Sequence, residues 1–106
     1  MTLKINNISN ELNNITEFWQ PKTITTFNQM QIKMARLKND YDWHNHKYED
    51  KLFYVIAGQL FIKLKYDDKN VTVKVNAGEL VVVPKNTLHK PFAPVEASVL
   101  FFEPLS

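Results

Sequence analysis

Ile5, Ile8, Leu12, Ile15 and Trp19 recur at spacings of three and four, which sets them on one face of a helix. Ser9 or Asn7 offers a cap, and Pro21 stands just beyond the end. The asparagines at 6, 7, 10, 13 and 14 are poor helix formers. The pattern therefore predicts a short helix or turn that docks its apolar stripe on the main body. From about Gln31 the period falls to two. Ile32 and Met34 alternate with Lys33 and Ala35, and Tyr41 to His46 alternates as well. Leu52 to Ala57 is apolar throughout, as expected of a strand covered on both faces. Leu60, Ile62 and Leu64 alternate with Phe61, Lys63 and Lys65, and Val71, Val73 and Val75 with Thr72 and Lys74. Lys38 to Asp40, Tyr66 to Asn70, Asn76 to Glu79 and Pro84 to Leu88 read as turns. Leu80 to Val83 is a short strand, Pro91 and Pro94 bracket an edge segment, and Ala97, Val99 and Phe101 form a last strand. About seven or eight short strands with no long internal helix predict an all-β fold, an antiparallel barrel or sandwich.

Length makes this one domain: 106 residues, 44% of them apolar. Residues 1–30 are expected to pack as an N-terminal segment on a single barrel formed by 31–106. The chain has no cysteine, which excludes disulfides, thiolate metal sites and thiol nucleophiles. A net charge of +2 gives no electrostatic reason to expect nucleic acid or an acidic membrane as partner. The first residues lack the unbroken apolar run of a signal peptide, and no stretch is long enough to span a bilayer. The expectation is a cytoplasmic protein. Two scarcities sharpen the picture, because the chain has only two glycines and three histidines.

His44 and His46 stand one residue apart. On a strand, positions i and i+2 share a face roughly 6.6 Å apart, so both imidazoles can converge on one cation. His89, the remaining histidine, follows the turn at Pro84–Leu88 and would supply a third ligand from a neighbouring strand. The metal would be divalent: Zn, Fe, Ni or Mn.

The stretch from Trp43-His44-Asn45-His46 to Gly58, and that from Gly78 through Pro84 to His89 and Ala93, resemble the two sequence motifs of the cupin superfamily. The wording around them is similar to the small single-domain bacterial cupins. The resemblance spans about residues 41 to 93 and implies a cupin barrel, a jelly-roll-like double-stranded β-helix. It implies that His44, His46 and His89 occupy the metal-ligand positions, and that the chain forms a homodimer. The departures are specific. Lys51 stands where the first motif has the glutamate that usually completes the metal-ligand set. The leading glycine of that motif is unmatched. In the second, Asn86 replaces a glycine, which the left-handed conformation tolerates in Asn, and Ala93 replaces an asparagine.

Three outcomes are open at Lys51. The ammonium points into the pocket and binds an anionic or carbonyl-bearing ligand, or it swings out to pair with Asp50 or another acid and leaves a three-histidine site, or Glu49 supplies the carboxylate. If position 51 faces in, parity sends Phe53, Val55 and Ala57 in too. Leu52, Tyr54 and Ile56 then face out and need cover from the N-terminal stripe or a second subunit. Lys51, Phe53, Tyr54 and Phe92 are the candidate ligand-binding residues. The expected function is a small-molecule-binding cupin barrel holding a divalent metal on three histidines. The alternative is a metal-dependent enzyme of oxygenase or sugar-isomerase type, with Glu49, Tyr54 or Lys51 as general base.

Overall fold

A computed structural model describes residues 3–105 of the chain; residues 1, 2 and 106 of the two expected stretches lie outside it. The elements run α1 (Ile8–Asn13), β1 (Lys22–Phe27), β2 (Met30–Asp40), β3 (Lys51–Tyr66), β4 (Lys69–Asn76), β5 (Leu80–Val83) and β6 (His89–Pro104). The strands hydrogen-bond in the order β1-β2-β6-β3-β4, with β5 on β3, and every pairing is antiparallel. This is the antiparallel barrel that the period-two pattern predicts.

Two long strands carry the architecture. β3 and β6 each run sixteen residues, where the sequence suggests separate short strands. Each bends in the middle instead of ending. The β3–β6 register shifts between Val55 and Ala57 and again between Gly58 and Phe61. The first shift sets an extra residue in β3 and reverses its parity, while the second adds two residues to β6 and leaves that strand's parity unchanged. Phe53 and Val55 are buried before the bend and Leu60 and Ile62 after it. Ala57, expected to face inward, is exposed. Gly58 is what permits the bend. Its φ is +78°, and a Cβ there would sit 2.0 Å from the Glu96 carbonyl oxygen.

The interior is filled by Phe53, Val55, Leu60, Ile62, Val99 and Phe101. A second apolar cluster, Ile15, Ile24 and Met34, lies with Ile8, Leu12, Ile56 and Leu100 packed against it. The N-terminal stripe thus covers Ile56, as expected of an outward apolar position. The stripe is shorter than its periodicity. Asn7 caps α1, its side chain accepting from the Asn10 N–H at 3.0 Å, but the helix ends after six residues. Ile5 is 93% exposed, and Trp19 packs against the interior cluster instead. The expected turn at Lys38–Asp40 is instead the end of β2, which absorbs a register shift and Asn39 at φ 66° and goes on pairing with β6; the expected period-two segment Tyr41–His46 forms no strand, only a single bridge at His44. β1, inside the stretch 1–30, was legible only as N-terminal segment; it pairs with β2 at the end of the sheet order.

Arg36 fastens the N-terminal segment. Its guanidinium donates to the Ile15 carbonyl at 3.0 Å and to both Glu96 carboxylate oxygens at 3.1 Å. Next to it, Trp19 donates from its backbone to the Arg36 carbonyl at 2.9 Å and from its indole to the Lys38 carbonyl at 2.8 Å. These bonds hold Trp19 at φ 60° and turn its ring toward the barrel mouth.

Candidate metal centre

The backbone brings three distant histidines together. His44 and His89 exchange two backbone hydrogen bonds, both 2.9 Å. The His46 carbonyl accepts from the Asn86 N–H at 2.8 Å. Asn86 has φ 61°, the left-handed geometry expected of a glycine position filled by Asn. Ring centroids lie 4.3 Å apart for His44 and His89, 5.3 Å for His44 and His46, and 5.9 Å for His46 and His89.

The ring nitrogens are oriented for coordination. His44 Nδ1 lies 3.0 Å from the Asp42 carbonyl and His89 Nδ1 2.9 Å from the Thr87 carbonyl. A carbonyl only accepts, so each Nδ1 carries the proton and each Nε2 keeps its lone pair. This is the outer-shell arrangement that orients metal-binding histidines. His46 Nε2 and His89 Nε2 are buried without a hydrogen-bond partner. The three rings offer nitrogens all within 4.8 Å of one another. Two nitrogens on one metal at 2.0–2.1 Å are at most about 4.2 Å apart, so small ring movements close the set.

Burial favours the neutral, ligating form. It pushes His89 down to about 4, with His44, His46 and Lys51 adding to the effect against the Thr87 hydrogen bond. His46 is lowered by burial, then by the charge of Lys51 and by His44.

A cavity of about 430 Å³ opens beside these rings, lined by His44, His46 and Lys51 together with the aromatic rings of Tyr41, Phe53 and Phe101. Lys51 points inward. Its side chain is 13% exposed, with Nζ 3.7 Å from Glu103 Oε2 and 4.3 Å from the Phe101 ring centroid. It does not swing out to Asp50, whose carboxylate instead accepts from the Lys85 N–H at 2.9 Å. Glu49 belongs neither to the cavity wall nor to the histidine set. Burial lowers the Lys51 pKa, with Lys33 acting in the same direction and Glu103 opposing. Burial would raise Glu103, but the Lys33 hydrogen bond and the charges of Lys51 and Lys33 outweigh it and hold the carboxyl below its ordinary range.

Of the four candidate ligand-binding residues, Lys51 and Phe53 line the cavity, while Tyr54 and Phe92 do not. Tyr54 lies at the parity opposite to Phe53, and Phe92 stacks on Phe61 at 5.2 Å, past the β3 bend. Among the cavity residues the sequence did not single out are Lys33, Glu103, Asp42, Trp19 and Tyr41. Parity carried a signal for two of them. Lys33 shares a strand face with Ala35 and Leu37, and Glu103 with Val99 and Phe101, so opposite charges sit on inward faces.

The Cupin_2 family, a cupin domain, matches residues 36–103. The chain is 32% identical over 87 residues, 82% of its length and 74% of the relative's, to the uncharacterized protein YdbB of Bacillus subtilis. It superposes with a TM-score of 0.85 and 32% identity on a cupin-2 domain protein from Shewanella frigidimarina, covering 94% of each chain. A hydroquinone 1,2-dioxygenase from Sphingomonas, solved with 4-hydroxybenzoate bound, shares the fold at a TM-score of 0.85 and 15% identity. That match covers 98% of this chain and 33% of the enzyme.

Proposed function

The chain belongs to the cupin family, and from that premise we propose that it is a small-molecule-binding barrel holding a divalent metal on His44, His46 and His89. The observation that carries this reading is the pair of buried, partnerless Nε2 atoms on His46 and His89. A buried polar nitrogen without a partner costs roughly 1–3 kcal/mol, and a shared cation removes that cost at both. The backbone carbonyls on Nδ1 of His44 and His89 support it by setting the ligating tautomer. Imidazole suits Zn, Fe and Ni, while Mn prefers oxygen ligands. A metal there would act as a Lewis acid toward an oxygen of a bound molecule, and the cavity residues would bind and orient that molecule. The test is elemental analysis of untagged protein beside His44→Ala and His89→Ala variants whose folding is checked by circular dichroism. Loss of metal with the fold retained supports the reading; unchanged metal content refutes it.

A second reading, a metal-dependent enzyme of oxygenase or sugar-isomerase type, is favoured by the open cavity against His44 and His46. Three protein ligands leave coordination positions for a substrate, and the fold is shared with a dioxygenase. Of the three bases considered for it, only Lys51 lines the cavity. Oxygen uptake by the metal-loaded protein with phenolic substrates separates the two readings.

The proposed protein is cytoplasmic and does not bind nucleic acid, in keeping with its near-balanced charge of +2; among the described residues no helix is long and apolar enough to cross a membrane. It is a homodimer. The support is an apolar patch on β5, where Leu80 is 60% and Val82 46% exposed, paired in register with Tyr54 and Leu52.

A further inference from the structure

The Lys51 end of the cavity carries a local charge imbalance. Lys33 and Lys51 both face Glu103, two cations to one anion, while Asp42, the other carboxylate lining the cavity, is exposed at the His44 end. Lys33 bonds closely to Oε1. Lys51 is left with Oε2 at 3.7 Å, beyond hydrogen-bond range. Its ammonium has three donors, and its other close neighbours are the faces of Phe101 at 4.3 Å and Phe53 at 5.5 Å. An aromatic face offsets part of a buried cation's charge but accepts no strong hydrogen bond. The side chain is only 13% exposed, so bulk water solvates it poorly.

The surroundings narrow what can satisfy this cation. A second metal ion is repelled. A multiply charged anion would lose its hydration against Ala35, Leu37, Phe53, Val99 and Phe101, which line the same cavity. A singly charged group on an apolar body fits both features. Resting on the reading of this cavity as a ligand site, we propose that it recognises an organic monocarboxylate. The carboxylate accepts from Lys51 Nζ, and the apolar body lies against the aromatic lining. Lys33 supports the site by occupying Glu103, which keeps Lys51 from being fully neutralised within the protein.

The experiment is titration calorimetry on the full chain with benzoate, benzamide, hexanoate, hexanamide and inorganic phosphate, the metal content of each sample being measured. At least one carboxylate is expected to bind on the order of tenfold or more tighter than its amide, since a charge-assisted hydrogen bond is about twice as strong as a neutral one. Lys51→Met and Lys51→Gln, each checked for folding, are expected to remove that preference, and Lys51→Arg to retain part of it. Equal binding of acid and amide, no carboxylate binding, a preference that survives in both neutral variants, or phosphate binding more tightly than either carboxylate overturns the proposal. A Lys51-dependent preference in metal-free protein upholds it while refuting the metal reading. A metal-loaded protein without the preference does the reverse.

Discussion

The backbones of His44 and His89 hold each other by two hydrogen bonds, His44 N–H to the His89 carbonyl and His89 N–H to the His44 carbonyl, both 2.9 Å. The pair is an isolated bridge between residues outside any shared strand ladder. It sets two imidazoles 4.3 Å apart and brings His46 with them. The backbone thus positions the imidazoles, and the carbonyls on Nδ1 of His44 and His89 orient them as outer-shell partners orient metal-binding histidines.

Lys51 is held at a cost to stability. Burial lowers its pKa, so in the alkaline window below 10.5 the native state binds fewer protons than the unfolded chain. Stability from this group therefore rises as pH climbs through that window. Lys51→Met is expected to give a Tm equal to or above that of the parent at pH 7, because Glu103 keeps Lys33. A clear fall in Tm by calorimetry contradicts this.

Lys51→Glu puts a carboxylate at the position where the cupin motif has its fourth ligand. Metal affinity is expected to rise on the order of tenfold or more, read by competition with a chromophoric chelator. Unchanged affinity would show that the cavity wall cannot bring position 51 to the metal.

The two glycines differ in what they do. Gly58→Ala meets the Glu96 carbonyl at 2.0 Å and keeps a φ of +78°, so a loss of about 3 kcal/mol or more is expected. Gly78→Ala faces open space at φ +86°, and its cost is expected to stay near 1 kcal/mol. Urea unfolding of both variants checks the order, and a Gly78 variant as damaged as the Gly58 one would contradict it.

Much of this was legible because few residues carried it. Both glycines mark the motif boundaries, and the three histidines meet. Helix α1, the turns after Tyr66, Asn76 and Pro84 and the left-handed Asn86 follow from local chemistry, whereas Lys38–Asp40 stays in β2 because β6 pairs with it. What escaped depends on partners. Lys22–Phe27 is short and follows Pro21, and it becomes a strand by pairing with β2. The bend of β3 reverses its parity, which exposes Ala57. Phe92, beyond the β3 bend, pairs with Phe61. Glu103 and Lys33 lie at inward parity, but only the pairing of β2 with β6 puts them on one wall.

Metal removal leaves neutral histidines whose folded state resists protonation. His89 is held at about 4 against an ordinary 6.5. Between those values the unfolded chain binds more protons, so stability is present above 6.5 and is lost as pH falls toward 4. In chelator-treated protein this loss is expected to reach up to about 3 kcal/mol, and His89→Gln is expected to flatten it. A pH-independent stability from 6.5 to 4.5 contradicts the burial argument.

The apolar patch at Leu80 and Val82 is expected to seat a second copy of the chain. Leu80→Glu with Val82→Glu should shift the protein from dimer to monomer in sedimentation velocity without loss of the fold. A parent chain that sediments as a monomer at high concentration contradicts the dimer.

The central claim is that His44, His46 and His89 form a metal site. Its most direct test is the metal content of untagged protein by inductively coupled plasma mass spectrometry, before and after reloading, with His46→Ala and His89→Ala measured alongside. About one divalent ion per chain is expected, falling to near zero in either folded variant. A parent that neither retains nor takes up metal, or variants that hold as much as the parent, contradicts it.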